Sequence, residues 1–203
     1  MIKKNPFLIL NTSSPDRSMD VLPKLFKEIK KKVPEARLIW CYGWDNFDQW
    51  YAGDKRLMDW RRKIAKEMEE AGIEDRGRLS QSECAKLYLE ARILAYPSSF
   101  YEIDCISVKK AQAAGCIPIT TDFAAFNESN KYGIKIHSDR TIKNWSLPYQ
   151  IGFGIQDEKA QKAWVEAVVK ELKKPMVENK EMKEWAKTFN WNLIAKKWIN
   201  VFE

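Results

Sequence analysis

Short uninterrupted apolar runs alternate along this chain with longer stretches in which apolar residues return every three or four positions, and that rhythm predicts its elements. Phe7, Leu8, Ile9 and Leu10 form the first run, bounded by Pro6 and by the polar stretch 11–16, so it reads as a fully buried strand entering a loop. Val21, Leu22, Leu25, Phe26 and Ile29 then recur at helical spacing until Pro34, with Asp16 or Ser18 as the cap. Residues 37–43 read as the next strand, 44–53 as a long aromatic loop, 55–72 as a charged helix and 73–79 as a weak strand. Ser80 with Glu83 three positions later is the capping-box arrangement, and it opens a helix whose apolar face is Cys84, Leu87, Tyr88 and Ala91. A strand over 93–96 follows, then a turn carrying Glu102, a small-residue helix through Ala114, a glycine stop and a strand over 117–121. A short helix near 123–127 and a last strand over 133–136 complete the alternation. Residues 139–154 read as irregular, and from Asp157 the pattern is helical to the end, with breaks at Pro175 and near Asn190.

Strand and helix thus alternate about six times, with two-sided burial of the strands, which argues an α/β fold: a doubly wound, mainly parallel Rossmann-like sheet of about six strands with helices on both faces. A chain of 203 residues is long enough for one such core and short for two, so 1–203 is expected to be one domain with a helical segment over about 157–203. No apolar run approaches the roughly 20 residues that cross a bilayer. The apolar stretch near the start ends after four residues, so a secretory signal is not supported and a cytoplasmic location is expected, with the membrane surface also open to it.

Charge and cysteine content narrow the partners. Cys41, Cys84, Cys105 and Cys116 stand at spacings that match no zinc pattern and are expected reduced. The net charge of +7 is gathered at residues 30–32, 61–63 and 170–174. Solvated helix faces account for most of it, although a basic surface also favours polyanions such as nucleotides, anionic membrane or nucleic acid. The basic residues are spread over many helices rather than gathered in a recognised motif, so no specific nucleic acid is expected.

Two turns carry candidate chemistry. In an open parallel sheet the carboxyl ends of the strands face a crevice, and a helix starting there directs unpaired N–H groups and its positive end at a bound anion. The first turn, residues 11–18, lacks GxGxxG, which argues against a nicotinamide dinucleotide. Arg17 can fork onto phosphate oxygens while Ser13, Ser14 and Ser18 supply hydroxyls; the alternative is a cap at Asp16 or Ser18 with Arg17 in solvent. In the second turn Glu102 follows a strand end, and the backbone of Cys105, Ile106 and Ser107 forms the first helical turn, with Ala111, Ala113, Ala114 and Gly115 letting that helix lie close to the sheet. Alternatively, Glu102 or Asp104 only complements the helix dipole.

The stretches SSPDRSMDVL, GRLSQSECAKLYLEARILAYPSSFYE, KKAQAAGCIPITT and AKTFNWNLIAKKWINVFE resemble, in order and spacing, the C-terminal donor-binding half of GT-B glycosyltransferases of family 4, the group 1 transferases. That resemblance implies retaining transfer from a nucleoside diphosphate sugar, with no cofactor and no required metal. It places Glu102, the first acid of the family's E-x7-E motif, at the transferred sugar's hydroxyls, and the amides from Asp104 to Ser107 at the donor diphosphate. Arg17 falls where the family usually has a phosphate-binding lysine. Lys110 stands where the motif's second acid, which normally binds the ribose hydroxyls, is expected; a lysine offers donors only, so it reaches phosphate or extends into water. The implied partners are the nucleotide sugar, a sugar, lipid-linked or protein acceptor, and an N-terminal GT-B half, fused or on another chain.

Trp44, Trp50, Tyr51 and Trp60 read as packing or an interface more readily than as a sugar platform, and Trp164, Trp185, Trp191 and Trp198 as anchors of the terminal helices to the sheet. His137 reads as a structural histidine.

Overall fold

A computed structural model describes residues 2–138 and 152–202; most of the stretch expected to be irregular, residues 139–151, lies outside them. Six strands, β1 (Asn5–Asn11), β2 (Arg37–Trp40), β3 (Ile73–Asp75), β4 (Ala91–Tyr96), β5 (Ile117–Thr121) and β6 (Ile134–Ile136), form one sheet in the order β3-β2-β1-β4-β5-β6. Every pairing is parallel. This is the doubly wound Rossmann-like arrangement the alternation predicts, with its strand order reversing between β1 and β4.

Successive strand residues supply opposite faces of the sheet. Ile9, Leu38, Trp40 and Ile93 enter one buried cluster with Leu22, Phe26 and Trp164, whereas Leu8, Leu10, Ile39 and Leu94 enter the other with Tyr88, Val108 and Phe126. Full burial of each such side chain contributes about 1.5–3 kcal/mol of gross hydrophobic stabilisation. The first cluster is covered by α2 (Leu22–Lys32), α4 (Lys55–Ala71) and α8 (Glu158–Lys173), the second by α5 (Gln81–Glu90) and α6 (Ile106–Ala113). The capping box forms as expected: Ser80 Oγ accepts from the Glu83 amide and the Glu83 carboxylate accepts from the Ser80 amide.

Three local readings are corrected. The expected first helix is two helices, α1 (Pro15–Ser18) and α2, and neither Asp16 nor Ser18 caps α2, whose N-cap is Val21. The expected aromatic loop contains α3 (Asp45–Tyr51), because Phe47 and Tyr51, one turn apart, both pack inward, Phe47 against Trp44 and Trp60. The short helix near 123–127 begins later, as α7 (Phe126–Ser129). Gly43 at φ +79° lets the turn after β2 touch the turn after β3; a Cβ there would stand 2.8 Å from the Arg78 nitrogen.

The terminal helices divide the expected tryptophan anchors. Trp164 is buried and donates Nε1–H to the Ile119 carbonyl at 3.1 Å. Trp185, on α9 (Lys180–Lys187), packs on Tyr132 and Phe189. Trp191 and Trp198, on α10 (Trp191–Phe202), are 70% and 59% exposed and anchor nothing to the sheet. Helical spacing gives a helix an apolar face; it does not supply a surface for that face to meet.

Candidate functional site

The strand order reverses between β1 and β4, which is the place at the C-terminal edge of an open parallel sheet where a ligand crevice is expected. Asn11, the last residue of β1, is fully buried there: Nδ2 donates to the Ala95 carbonyl at 2.8 Å and to Ser18 Oγ at 3.2 Å, and Oδ1 accepts from the Ser13 amide at 3.0 Å. The turn after β1 is therefore tied to β4 as well as to its own strand, and α1 projects Arg17 over the crevice.

Arg17 meets the second turn directly. Its Nε is 3.4 Å from Glu102 Oε1, its NH1 group is 2.8 Å from Asp16 Oδ2, and its guanidinium lies 3.2 Å from the centroid of the Phe100 ring. A cation over an aromatic face gains about 0.5–2 kcal/mol according to how dry it is. Tyr96, the last residue of β4, donates its phenol to the same Glu102 Oε1 at 2.7 Å, and burial pushes that phenol's pKa well up. Glu102 is thus oriented by a hydroxyl rooted in the sheet and faces a guanidinium from the other turn. The arrangement can offer an anion a forked cation, and a polyhydroxyl group a carboxylate acceptor.

The other expected residues are placed as follows. Ser13 Oγ donates inward to Asn11 Oδ1 at 2.9 Å, and Ser14 is the N-cap of α1 without a side-chain capping bond. Asp104 pairs with Lys109 at 2.7 Å and accepts from Ser129 Oγ at 3.0 Å; burial works to raise its pKa, and these two hydrogen bonds outweigh that and hold it below the usual range. The Cys105 amide donates to Ser129 Oγ at 3.2 Å, and the Cys105 sulfur faces the amides of Ser107 and Val108. Burial pushes the Cys105 thiol up to about 12, which keeps it protonated and unreactive at neutral pH. Ile106 and Ser107 open α6, and Ser107 hydrogen-bonds the Tyr88 phenol, which also lies 2.7 Å from Thr12 Oγ1. Lys110 is turned away from Arg17 and Glu102: its Nζ donates to Gln81 Oε1 of α5 at 2.7 Å, beside the groove that Tyr88, Leu89 and Ala114 line. His137 is exposed with Nδ1 2.7 Å from Asp122 Oδ2.

Sequence reasoning passed over three participants. Phe100 and Tyr96 lie beside Arg17 and Glu102, and the signal for both was present, since Tyr96 ends the strand that leads to Glu102 and Phe100 stands between the two. Asp20 carried none. Its carboxylate accepts from the Gly154 amide at 3.0 Å and from Gln156 Nε2 at 2.9 Å, residues that stand 134 and 136 positions away. Burial raises its pKa to about 6, against the lowering by those donors. Residues 152–156 are thereby held between the two turns: the Phe153 amide donates to the Asp16 carbonyl at 2.8 Å, the Ser99 amide to the Phe153 carbonyl at 2.6 Å, and Phe153 packs edge-on against Phe100. Among the described residues no group of three or more His, Cys, Asp or Glu is arranged to hold a metal ion.

No family model matches the chain, and no curated protein does. Solved structures do. The chain is similar to the pneumococcal O-GlcNAc transferase GtfA, crystallised with UDP and GlcNAc, at 18% identity and a TM-score of 0.68, over 98% of this chain and 36% of that one. It is similar to an α,α-trehalose-phosphate synthase (UDP-forming) from Burkholderia vietnamiensis at 11% identity and a TM-score of 0.66, over 99% of this chain and 44% of that one. A sucrose-phosphate synthase from Thermosynechococcus elongatus matches at 16% identity and a TM-score of 0.65, over 96% and 44% of the two chains. The chain therefore spans between about a third and a half of the length of the proteins it matches, and its fold is that of one Rossmann-like half of a GT-B glycosyltransferase.

Proposed function

We propose that this chain is the donor-binding half of a retaining family 4 glycosyltransferase, which moves a hexose-type sugar from a nucleoside diphosphate sugar to an acceptor. The observation that carries this reading is the meeting of Arg17 and Glu102, 3.4 Å apart, across the point where the strand order reverses. In this reading Arg17 exchanges its carboxylate partners for the donor diphosphate and stabilises the negative charge that grows on it as the sugar leaves. The amides of Ile106 and Ser107, at the positive end of α6, share that task, and the site needs no metal or other cofactor. Glu102, held by Tyr96, accepts hydrogen bonds from the sugar. An N-terminal GT-B half, on the same chain or a partner, supplies the sugar, lipid-linked or protein acceptor, since transfer needs both reactants in near-attack geometry. Four cysteines without a disulfide accord with a cytoplasmic setting.

A second reading, a non-catalytic nucleotide-sugar module that assembles with a partner, draws on Lys110, which puts an ammonium on Gln81 where the resembling enzymes have an acid. Calorimetric titration with UDP, GDP and a panel of their sugars separates the readings when followed by hydrolysis and transfer assays with the completing half. Saturable binding and transfer are expected, and Glu102→Ala is expected to lower transfer at least tenfold. Binding without turnover in any partner context favours the module, and no binding of any nucleoside diphosphate overturns both.

A further inference from the structure

Two of the cysteines meet across the fold. Cys41 directly follows β2 and is buried, and its amide donates to the Asn11 carbonyl at 3.2 Å, so it prolongs the ladder between β1 and β2. Cys84 stands near the start of α5, half-buried, and lines the groove shared with Tyr88, Leu89, Lys110 and Ala114. The two sulfurs are 4.0 Å apart. Burial, and after it the neighbouring Cys84 sulfur, push the Cys41 thiol up, so it keeps its proton at neutral pH. Cys105 and Cys116 are buried, and burial pushes each of their thiols up to about 12.

We propose that Cys41 and Cys84 are a reversible disulfide site that responds to a peroxide. A disulfide holds its sulfurs at about 2.05 Å, so this pair, now at 4.0 Å, must close by about 2 Å. Rotation about χ1, which carries the sulfur round the Cα–Cβ bond, supplies movement of that size. Cys84 is the member an oxidant reaches from the groove. Its sulfur displaces hydroxide from hydrogen peroxide to form a sulfenic acid, and the Cys84 proton leaves with that oxygen as water. The Cys41 sulfur then attacks the sulfenic sulfur, and the second oxygen departs as water with the Cys41 proton. Two thiols and one peroxide thus give one disulfide and two waters, each sulfur supplying one of the two electrons that reduce the peroxide. The bond fastens α5 to the end of β2. One helical turn past Cys84, α5 presents Tyr88 to Thr12 and Ser107, a residue from each crevice turn. The inference stands whether or not the crevice binds a nucleotide sugar.

Hydrogen peroxide added to the folded, fully reduced chain tests it, with free thiols alkylated before unfolding and peptides mapped by mass spectrometry without reductant. Free thiols are expected to fall by two from the four in the chain, with a single linked pair, Cys41 to Cys84, and to return in full with dithiothreitol. Cys84→Ser is expected to remove the link, Cys116→Ser to leave it, and Cys41→Ser to leave a sulfenic acid on Cys84 that dimedone traps. Circular dichroism checks that each variant is folded, and the half-buried Cys84 gives a substitution that the core tolerates even where Cys41→Ser does not. Loss of no free thiol overturns the inference. So does sulfinic acid accumulating on Cys84 without the link, or a link that forms only between two chains.

Discussion

At the N-terminal edge of the sheet, Arg92 is 4% exposed and its guanidinium donates to Glu171 Oε1 at 3.2 Å and to the carbonyls of Leu172 and Lys174 at 3.2 and 2.9 Å. At the C-terminal edge, the Arg17 side chain is 23% exposed, stacked on one ring and shared between two carboxylates. The first guanidinium closes the C-terminal end of α8, whose last carbonyls have no partner within the helix, and it reaches little solvent. The second keeps its partners in exchangeable, half-wet pairs. Coulomb attraction serves both, but only where the partners include carbonyls of a fixed helix end is it a lock; where they are side chains at a crevice, another anion can take their place.

The largest expected effect breaks the lock. Arg92→Ala leaves the buried Glu171 paired with Lys174 alone and strips the donor from the Leu172 and Lys174 carbonyls, and removing one member of a buried pair costs about 3–5 kcal/mol; the denaturant midpoint should fall accordingly, whereas Arg17→Ala should shift stability by about 1 kcal/mol or less. A loss of equal size in both variants would erase the distinction.

Next is the pH dependence of the crevice's own scaffold. Asp20 has its folded pKa raised from 3.8 to about 6, so the folded state holds the proton more tightly than the unfolded one. Its contribution is full below about pH 4 and lost as pH rises through about 6, a change of up to about 2–3 kcal/mol. Asp20→Asn, which keeps an acceptor for the Gly154 amide, should flatten that segment of the stability profile relative to wild type. A profile identical to wild type between pH 4 and 6 would show that Asp20 does not titrate there.

A ligand experiment follows in size. Arg17→Ala should weaken nucleoside diphosphate binding at least tenfold, about 1.4 kcal/mol, while calorimetric binding to the Arg92 variant, in conditions where it is folded, stays within about twofold of wild type. The smallest effect belongs to Lys110→Ala: its ammonium points to Gln81, so affinity should change by less than about threefold, on the order of 0.6 kcal/mol. A tenfold loss there would bring Lys110 into the phosphate site.

What could be read from the chain in advance, and what could not, follows one physical line. The capping box at Ser80, the buried strands and the glycine stop at Gly115 are set by neighbours a few positions away, and all appear where their residues indicate. The Arg17 and Glu102 turns were legible as candidates because each follows a strand end; that they would meet, with Phe100 beneath the guanidinium, required the strand order. Asp20 was silent because its hydrogen-bond donors arrive from residues 154 and 156. The exposure of Trp191 and Trp198 was misread because amphipathic spacing looks the same on a helix with or without a neighbour.

Asn11 has a consequence for selectivity. One carboxamide clasps the β4 backbone, the Ser13 amide and the Ser18 hydroxyl, all of them buried. The gap between the two turns is consequently gauged by the sheet rather than by the turns themselves, like the jaws of a calliper screwed to its beam. If the proposed diphosphate site is right, an anion entering it must match a preset span, so the site should sort its guests by length before it sorts them by charge.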